Sequence, residues 1–248
     1  MTKRTALLPL VTMLPIALGA CSVIPDSVAP ASERSYRATV ERPDYAAARR
    51  AMQTPQRQAT PRSTQLSTIR GDTCTAHLSQ QKVNFTPLPD KYYGAGCATV
   101  GSVSVTGLQG DSRSFEISNL GPVACPLAEK LAGWARFGVD RAARKMLGAS
   151  LVRIETMGSY SCRNVAGSSR RSAHATAEAI DVSAFILSDG RRIVLKEAWD
   201  NGSADEREFL RVIHSSACKR FGTVLGPEYN AAHRDHFHLE LGGGTYCR

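Results

Sequence analysis

The chain has 248 residues, 42% of them hydrophobic, which is enough for one domain with a sizeable core or one domain plus an appendage. Nothing in it suggests a solenoid or a coiled coil. The formal net charge of +9 falls to +7 without Lys3 and Arg4, and the rest of the excess is scattered, as at Arg170 and Arg171. No basic stretch is interleaved with aromatics, which points away from a nucleic-acid surface.

Residues 1–20 read as an export signal. Lys3 and Arg4 form a basic start, Ala6 to Ala17 a short apolar stretch, and "LGAC" closes it at Leu18 to Cys21. The stretch is too short for a membrane span. Cys after Leu-Gly-Ala resembles a bacterial lipobox, with Cys21 as the lipidated residue and an ordinary secretory signal as the alternative. Ser22 follows, where inner-membrane retention signals usually carry Asp. The expectation is a periplasmic lipoprotein, anchored through Cys21 in the outer membrane.

Residues 21–72 are rich in Pro, Ser, Thr, Gln, Ala and Arg and poor in large apolar side chains. Such a segment cannot bury enough surface to fold alone, so it reads as a tether. About fifty flexible residues span roughly 40 Å.

Residues 73–121 alternate short apolar runs with Gly, Pro and Asp, and read as a small strand-rich, disulfide-containing appendage. "CPLAEKLAGWARFGVDRAARKML" follows, with Leu127, Leu131, Trp134 and Ala135 at helical spacing. "SLVRIETM" reads as a strand, and "AIDVSAFIL-SDG-RRIVL" as a hairpin turning at Asp189-Gly190. "SADEREFLRVIHSSACKRF" reads as a helix capped by Ser203, with Phe209, Val212, Ile213 and Ala217 on its apolar side and His214 as a structural residue. "HFHLEL" closes the domain as a strand. The order predicts an α+β fold for residues 122–248, an antiparallel sheet flanked by helices.

Six cysteines remain after Cys21, an even number that in an exported protein predicts three disulfides. The pairing expected is Cys74 with Cys97, Cys125 with Cys218, and Cys162 with Cys247. No CxxC pair exists, which argues against a cysteine zinc ribbon.

The chemistry-bearing residues lie in two stretches. "SAHATAEAIDV" holds His174 and Asp181, an imidazole and a carboxylate suited to zinc. "HRDHFHLEL" holds His233, Asp235, His236 and His238. His236 and His238 are two apart on a predicted strand and so share a face. His174, Asp181 and one of those two histidines would give three ligands and leave a fourth position open.

Ser172-x-His174, Ala179-x-Asp181 and the terminal His-x-His resemble the motifs of the zinc peptidases that include lysostaphin-type enzymes, D-alanyl-D-alanine carboxypeptidases and murein endopeptidases. Ala177 stands where the carboxypeptidase branch often has Gly. With "SYSCR", "YNAAHRDHFHLEL" and a closing "CR", the segment from about 122 to 248 resembles the bacterial extensin-like C-terminal family. The resemblance implies Zn2+ bound by His174, Asp181 and His238. It implies His236 as the acid/base group, with Asp235 as the rival, and Arg163 as an oxyanion or substrate-carboxylate group. His233 and Tyr160 are candidate substrate contacts. The expected function is a zinc-dependent peptidoglycan peptidase, a D,D-endopeptidase ahead of a carboxypeptidase. The competing expectation is a non-catalytic wall-binding lipoprotein on the same fold.

Overall fold

The computed structural model describes residues 73–242 and 244–248. The signal segment, Cys21 and the tether lie outside the described residues. No helix among those described is long and apolar enough to cross a membrane.

Helix α1 covers residues 73–80. The strands that follow are β1 (Asn84–Pro87), β2 (Lys91–Gly94), β3 (Cys97–Thr99), β4 (Ser102–Gln109), β5 (Ser114–Ser118) and β6 (Pro122–Ala124). Next come α2 (Cys125–Trp134), a π-helical segment (Ala135–Asp140), α3 (Arg141–Leu147), β7 (Leu151–Gly158), β8 (Ala179–Leu187) and β9 (Arg192–Val194). The chain ends with α4 (Leu195–Asn201), α5 (Ala204–Cys218), β10 (Thr223–Leu225), β11 (Phe237–Glu240) and β12 (Tyr246–Cys247).

The fold is α+β, as expected, but the sheet is mixed. Its main path runs β1-β4-β5-β7-β8-β11-β10-β12, with β6 beside β4 and β9 beside β8. Two pairs, β5 with β7 and β10 with β12, are parallel. A parallel pair needs a long crossover, and the helical stretch from Cys125 to Leu147 supplies it between β5 and β7. Residues 73–121 are therefore no separate appendage: β1, β4, β5 and β6 belong to the same sheet as the strands that carry the site. Among the described residues, only β2 and β3 form a small sheet of their own.

β8 is central, and its run "AIDVSAFIL" is buried along most of its length, as suits a strand covered on both faces. On the helical side, Phe185 meets Trp134 and Phe209 edge to face, with ring centroids 6.1 and 5.8 Å apart. The buried Trp134 indole donates to the Ile213 carbonyl of α5 at 3.0 Å. Gly138 permits that approach, since a Cβ there would stand 2.6 Å from Ser216 Oγ. The long helix expected from residue 125 passes through a π segment at Ala135–Asp140, in which Gly138 lies against Ser216 of α5. The Ser203 cap of α5 is present as expected, paired reciprocally with Glu206.

All six cysteines are paired, but not as expected. Cys74 joins Cys125, Cys97 joins Cys162, and Cys218 joins Cys247, with Cα atoms 5.5 to 6.1 Å apart. The pairs follow the packing. Cys74 lies on α1, which was expected to be part of a strand-rich region and is a helix that reaches the start of α2. Cys97 on β3 meets the loop after β7, and Cys218 at the end of α5 meets β12.

Candidate metal centre and cleft

Strand alternation builds the centre of the site. On β11, Phe237 and Leu239 turn into the core opposite Val182 and Ile180 of β8, while His238 pairs with Asp181 on the other face. A slip of one residue would expose two apolar side chains, each worth about 1.5–3 kcal/mol when buried, and would push both histidines into the core. The register that brings His238 to Asp181 is thus held by the hydrophobic face behind it.

His174 reaches the same point from a short 3-10 turn, Ala173–Thr176. Ser172 Oγ caps the turn by accepting from the His174 N–H at 3.4 Å. The turn ends at Ala177, whose φ of +57° is left-handed and explains why glycine suits that position.

His174, Asp181 and His238 converge as buried side chains whose ligand atoms lie within 4.8 Å of one another. His174 Nε2 is 3.1 Å from Asp181 Oδ2 and 3.2 Å from His238 Nδ1, and His238 Nδ1 is 2.8 Å from Asp181 Oδ1. The outer nitrogens are engaged elsewhere. His174 Nδ1–H donates to the Ser159 carbonyl, and His238 Nε2–H donates to Glu240 Oε1 at 2.9 Å. Those bonds orient both rings and turn His174 Nε2 and His238 Nδ1 towards the carboxylate. Two imidazole nitrogens and one carboxylate in a buried pocket fit a divalent cation such as zinc.

Among the described residues, two other groups bring three such side chains together. His214 with Cys218 and Cys247 is one, but its sulfurs are joined to each other. His233, His236 and His238 form the other, and it shares His238 with the first trio.

The charges of the trio are set by its mutual contacts. Burial alone would push the Asp181 carboxyl up, yet hydrogen bonds to His174 and His238 hold it well below the usual carboxylate range. Burial opposes charge on His238, but its bonds to Asp181 and Glu240 push its pKa up to about 9. His233 moves the other way, down to about 4, from burial and then from His236 and His238 nearby.

His236 stands beside the trio, with Nε2 3.4 Å from Asp181 Oδ1 and Nδ1 2.8 Å from Asp235 Oδ1. Asp235 lies in a turn before β11, so strand alternation does not govern it. The two residues expected as rivals are instead joined by a hydrogen bond. Arg163 Nη2 is 3.9 Å from Asp181 Oδ2. A cleft of about 510 Å³ opens over these residues, lined by Arg163, Arg170, Tyr229, His233, His236 and His238 among others. Tyr160 is not part of that lining and instead stacks on Tyr93, with centroids 5.0 Å apart. A larger concavity of about 670 Å³, lined by Lys82, Glu116 and Arg153 among others, holds none of the site residues.

Sequence reading passed over Glu240, Ser159 and Arg170. Glu240 had a signal, being two residues after His238 on the same strand face. Ser159 acts through its carbonyl, for which a sequence carries no mark.

Residues 72–248 match the family model described as "Extensin-like protein C-terminus". No curated protein matches the chain, and no solved structure does.

Proposed function

We propose that this chain, which belongs to the extensin-like protein C-terminus family, is a zinc-dependent peptidase acting on the peptide crosslinks of peptidoglycan. The observation that carries the reading is the convergence of His174, Asp181 and His238 beneath a cleft, with His236 beside them. Their motifs resemble those of the zinc peptidases named above. Zinc held by these three residues would polarise a peptide carbonyl and bring the pKa of water towards neutrality.

The protein's own groups divide the remaining work. Ser159 and Glu240 hold the two ligand imidazoles in orientation. His236 Nε2 takes a proton from the attacking water and returns it to the departing amine nitrogen. Asp235 accepts the hydrogen bond of His236 Nδ1–H, which keeps Nε2 the basic nitrogen and steadies the imidazolium once formed. Arg163 faces the charge that grows on the carbonyl oxygen. His233 stays neutral near pH 7 and can contact substrate from the cleft wall.

D,D-endopeptidase action is the first choice within this class. Arg163, half-exposed at the cleft, also suits carboxypeptidase action by offering a guanidinium to a terminal carboxylate. The export signal and Cys21 would place the enzyme in the periplasm, lipid-anchored beside its polymer. Purified protein is incubated with crosslinked muropeptides and zinc, and the products are separated by mass. The reading expects conversion of dimers to monomers by wild type and none by His238→Ala. Retention on sacculi with unchanged products at saturating zinc would favour a non-catalytic wall-binding protein.

A further inference from the structure

Several arginines elsewhere on the described surface have carboxylate partners. Arg136, Arg141 and Arg144 converge on Asp111, Arg153 meets Glu116, and Arg192 meets Glu155. Arg163 and Arg170 differ, because both line the cleft and neither has a carboxylate within hydrogen-bond distance. The nearest for Arg163 is the ligand Asp181, at 3.9 Å. Glu240 is the one carboxylate in the cleft lining, and it is committed to His238.

These guanidinium groups stand on a braced loop. Val165 N–H donates to the Arg170 carbonyl at 2.9 Å, Ser172 N–H to the Arg163 carbonyl at 3.1 Å, and Asn164 bridges Arg171. Arg171 Nε donates to the Ala95 carbonyl of the β2–β3 turn at 2.6 Å. The Cys97–Cys162 disulfide ties the same hairpin to the residue before Arg163. Two guanidinium groups on one wall of a concave site, neither hydrogen-bonded to a carboxylate among the described residues and both braced by the backbone behind them, suit an anion carried by the bound molecule.

The geometry points to Arg170, acting with Arg163, as a carboxylate-selecting wall, so that the cleft takes peptides bearing a free carboxylate close to the scissile bond. The inference rests on the cleft being a peptide site, as in the proposed function. Arg170 is a specificity-determining residue on this account, since it faces the substrate's charge rather than the reacting bond.

The test uses the full-length, zinc-loaded protein and a fluorescent crosslinked stem-peptide dimer, made non-hydrolysable by N-methylation of the crosslinking amide. One form keeps its carboxylates and the other has them amidated. Anisotropy should show the acid form binding about tenfold tighter, the scale of one charge-assisted bond. Arg170→Gln should remove that preference by weakening the acid form alone. Arg170→Lys should restore part of it, with melting temperatures confirming that both variants fold. Equal binding of the two forms, loss of both in Arg170→Gln, or binding of neither would overturn the inference. If the preference holds while the unmethylated dimer stays uncut, the peptidase reading fails and the carboxylate wall stands. If the dimer is cut without any preference, the wall fails alone.

Discussion

If zinc binds at His174, Asp181 and His238 as proposed, His238 makes that binding pH-dependent. Its pKa of about 9 means that at pH 7 the metal-free protein holds a proton on the imidazole that zinc must displace. The difference of about two pH units corresponds to about a hundredfold in apparent affinity. Asp181 adds nothing over this range, because its carboxyl is held far below it. Zinc dissociation constants, measured by chelator competition from pH 7 to 10, should therefore tighten about tenfold per unit to near pH 9 and then level off. Glu240→Gln separates two opposed effects. Loss of the carboxylate charge lowers the His238 pKa, so the plateau should begin at a lower pH. It also weakens the imidazole as a donor, so the plateau affinity should fall, by about tenfold or more. A flat wild-type profile between pH 7 and 9, or a variant identical to wild type above pH 9, would refute this role for the His238–Glu240 pair.

Substitutions at four other positions have distinct outcomes. His236→Gln should keep zinc at wild-type stoichiometry while lowering turnover on muropeptides about 100-fold or more, and Asp235→Asn should lower it less; loss of zinc in His236→Gln would instead make His236 a ligand. Ala177→Gly should stay within about 1 kcal/mol of wild type in denaturant, because relief of the positive φ offsets the lost methyl, whereas Ala177→Val should destabilise by more. His214 packs on Trp199 and Phe237 with burial pushing its pKa down, so the unfolded chain protonates first as pH falls. Its contribution is full above about pH 6.5 and is lost as pH falls below that value; His214→Gln should flatten the decline in urea midpoint between pH 7.5 and 5, and parallel curves would contradict this.

What the sequence made legible was what alternation and local spacing encode. The apolar "AIDVSAFIL" marks β8, and His236-x-His238 marks one face of a strand whose other face, Phe237 and Leu239, belongs to the core. The Asp189-Gly190 turn and the Ser203 cap are local signals, and both are present. Disulfide partners and strand direction are long-range properties, so neither the Cys97–Cys162 bond nor the parallel β5–β7 pair has a local signature. Asp235 stands two residues before β11 begins, and the turn that brings it to His236 has no mark in the strand pattern. The ligand trio could be gathered from motifs, whereas its supports, a main-chain carbonyl at Ser159 and the Glu240 carboxylate, emerge only once the strands are in register.

His174, Asp181 and His238 are proposed to hold one catalytic zinc ion. Anomalous diffraction at the zinc edge, on crystals of protein purified without chelators, tests it most directly. The account predicts one peak about 2.0–2.2 Å from His174 Nε2, an Asp181 oxygen and His238 Nδ1, with a fourth position facing His236. A peak centred instead on His233 and His236, or no peak at the trio in zinc-saturated crystals, would contradict it.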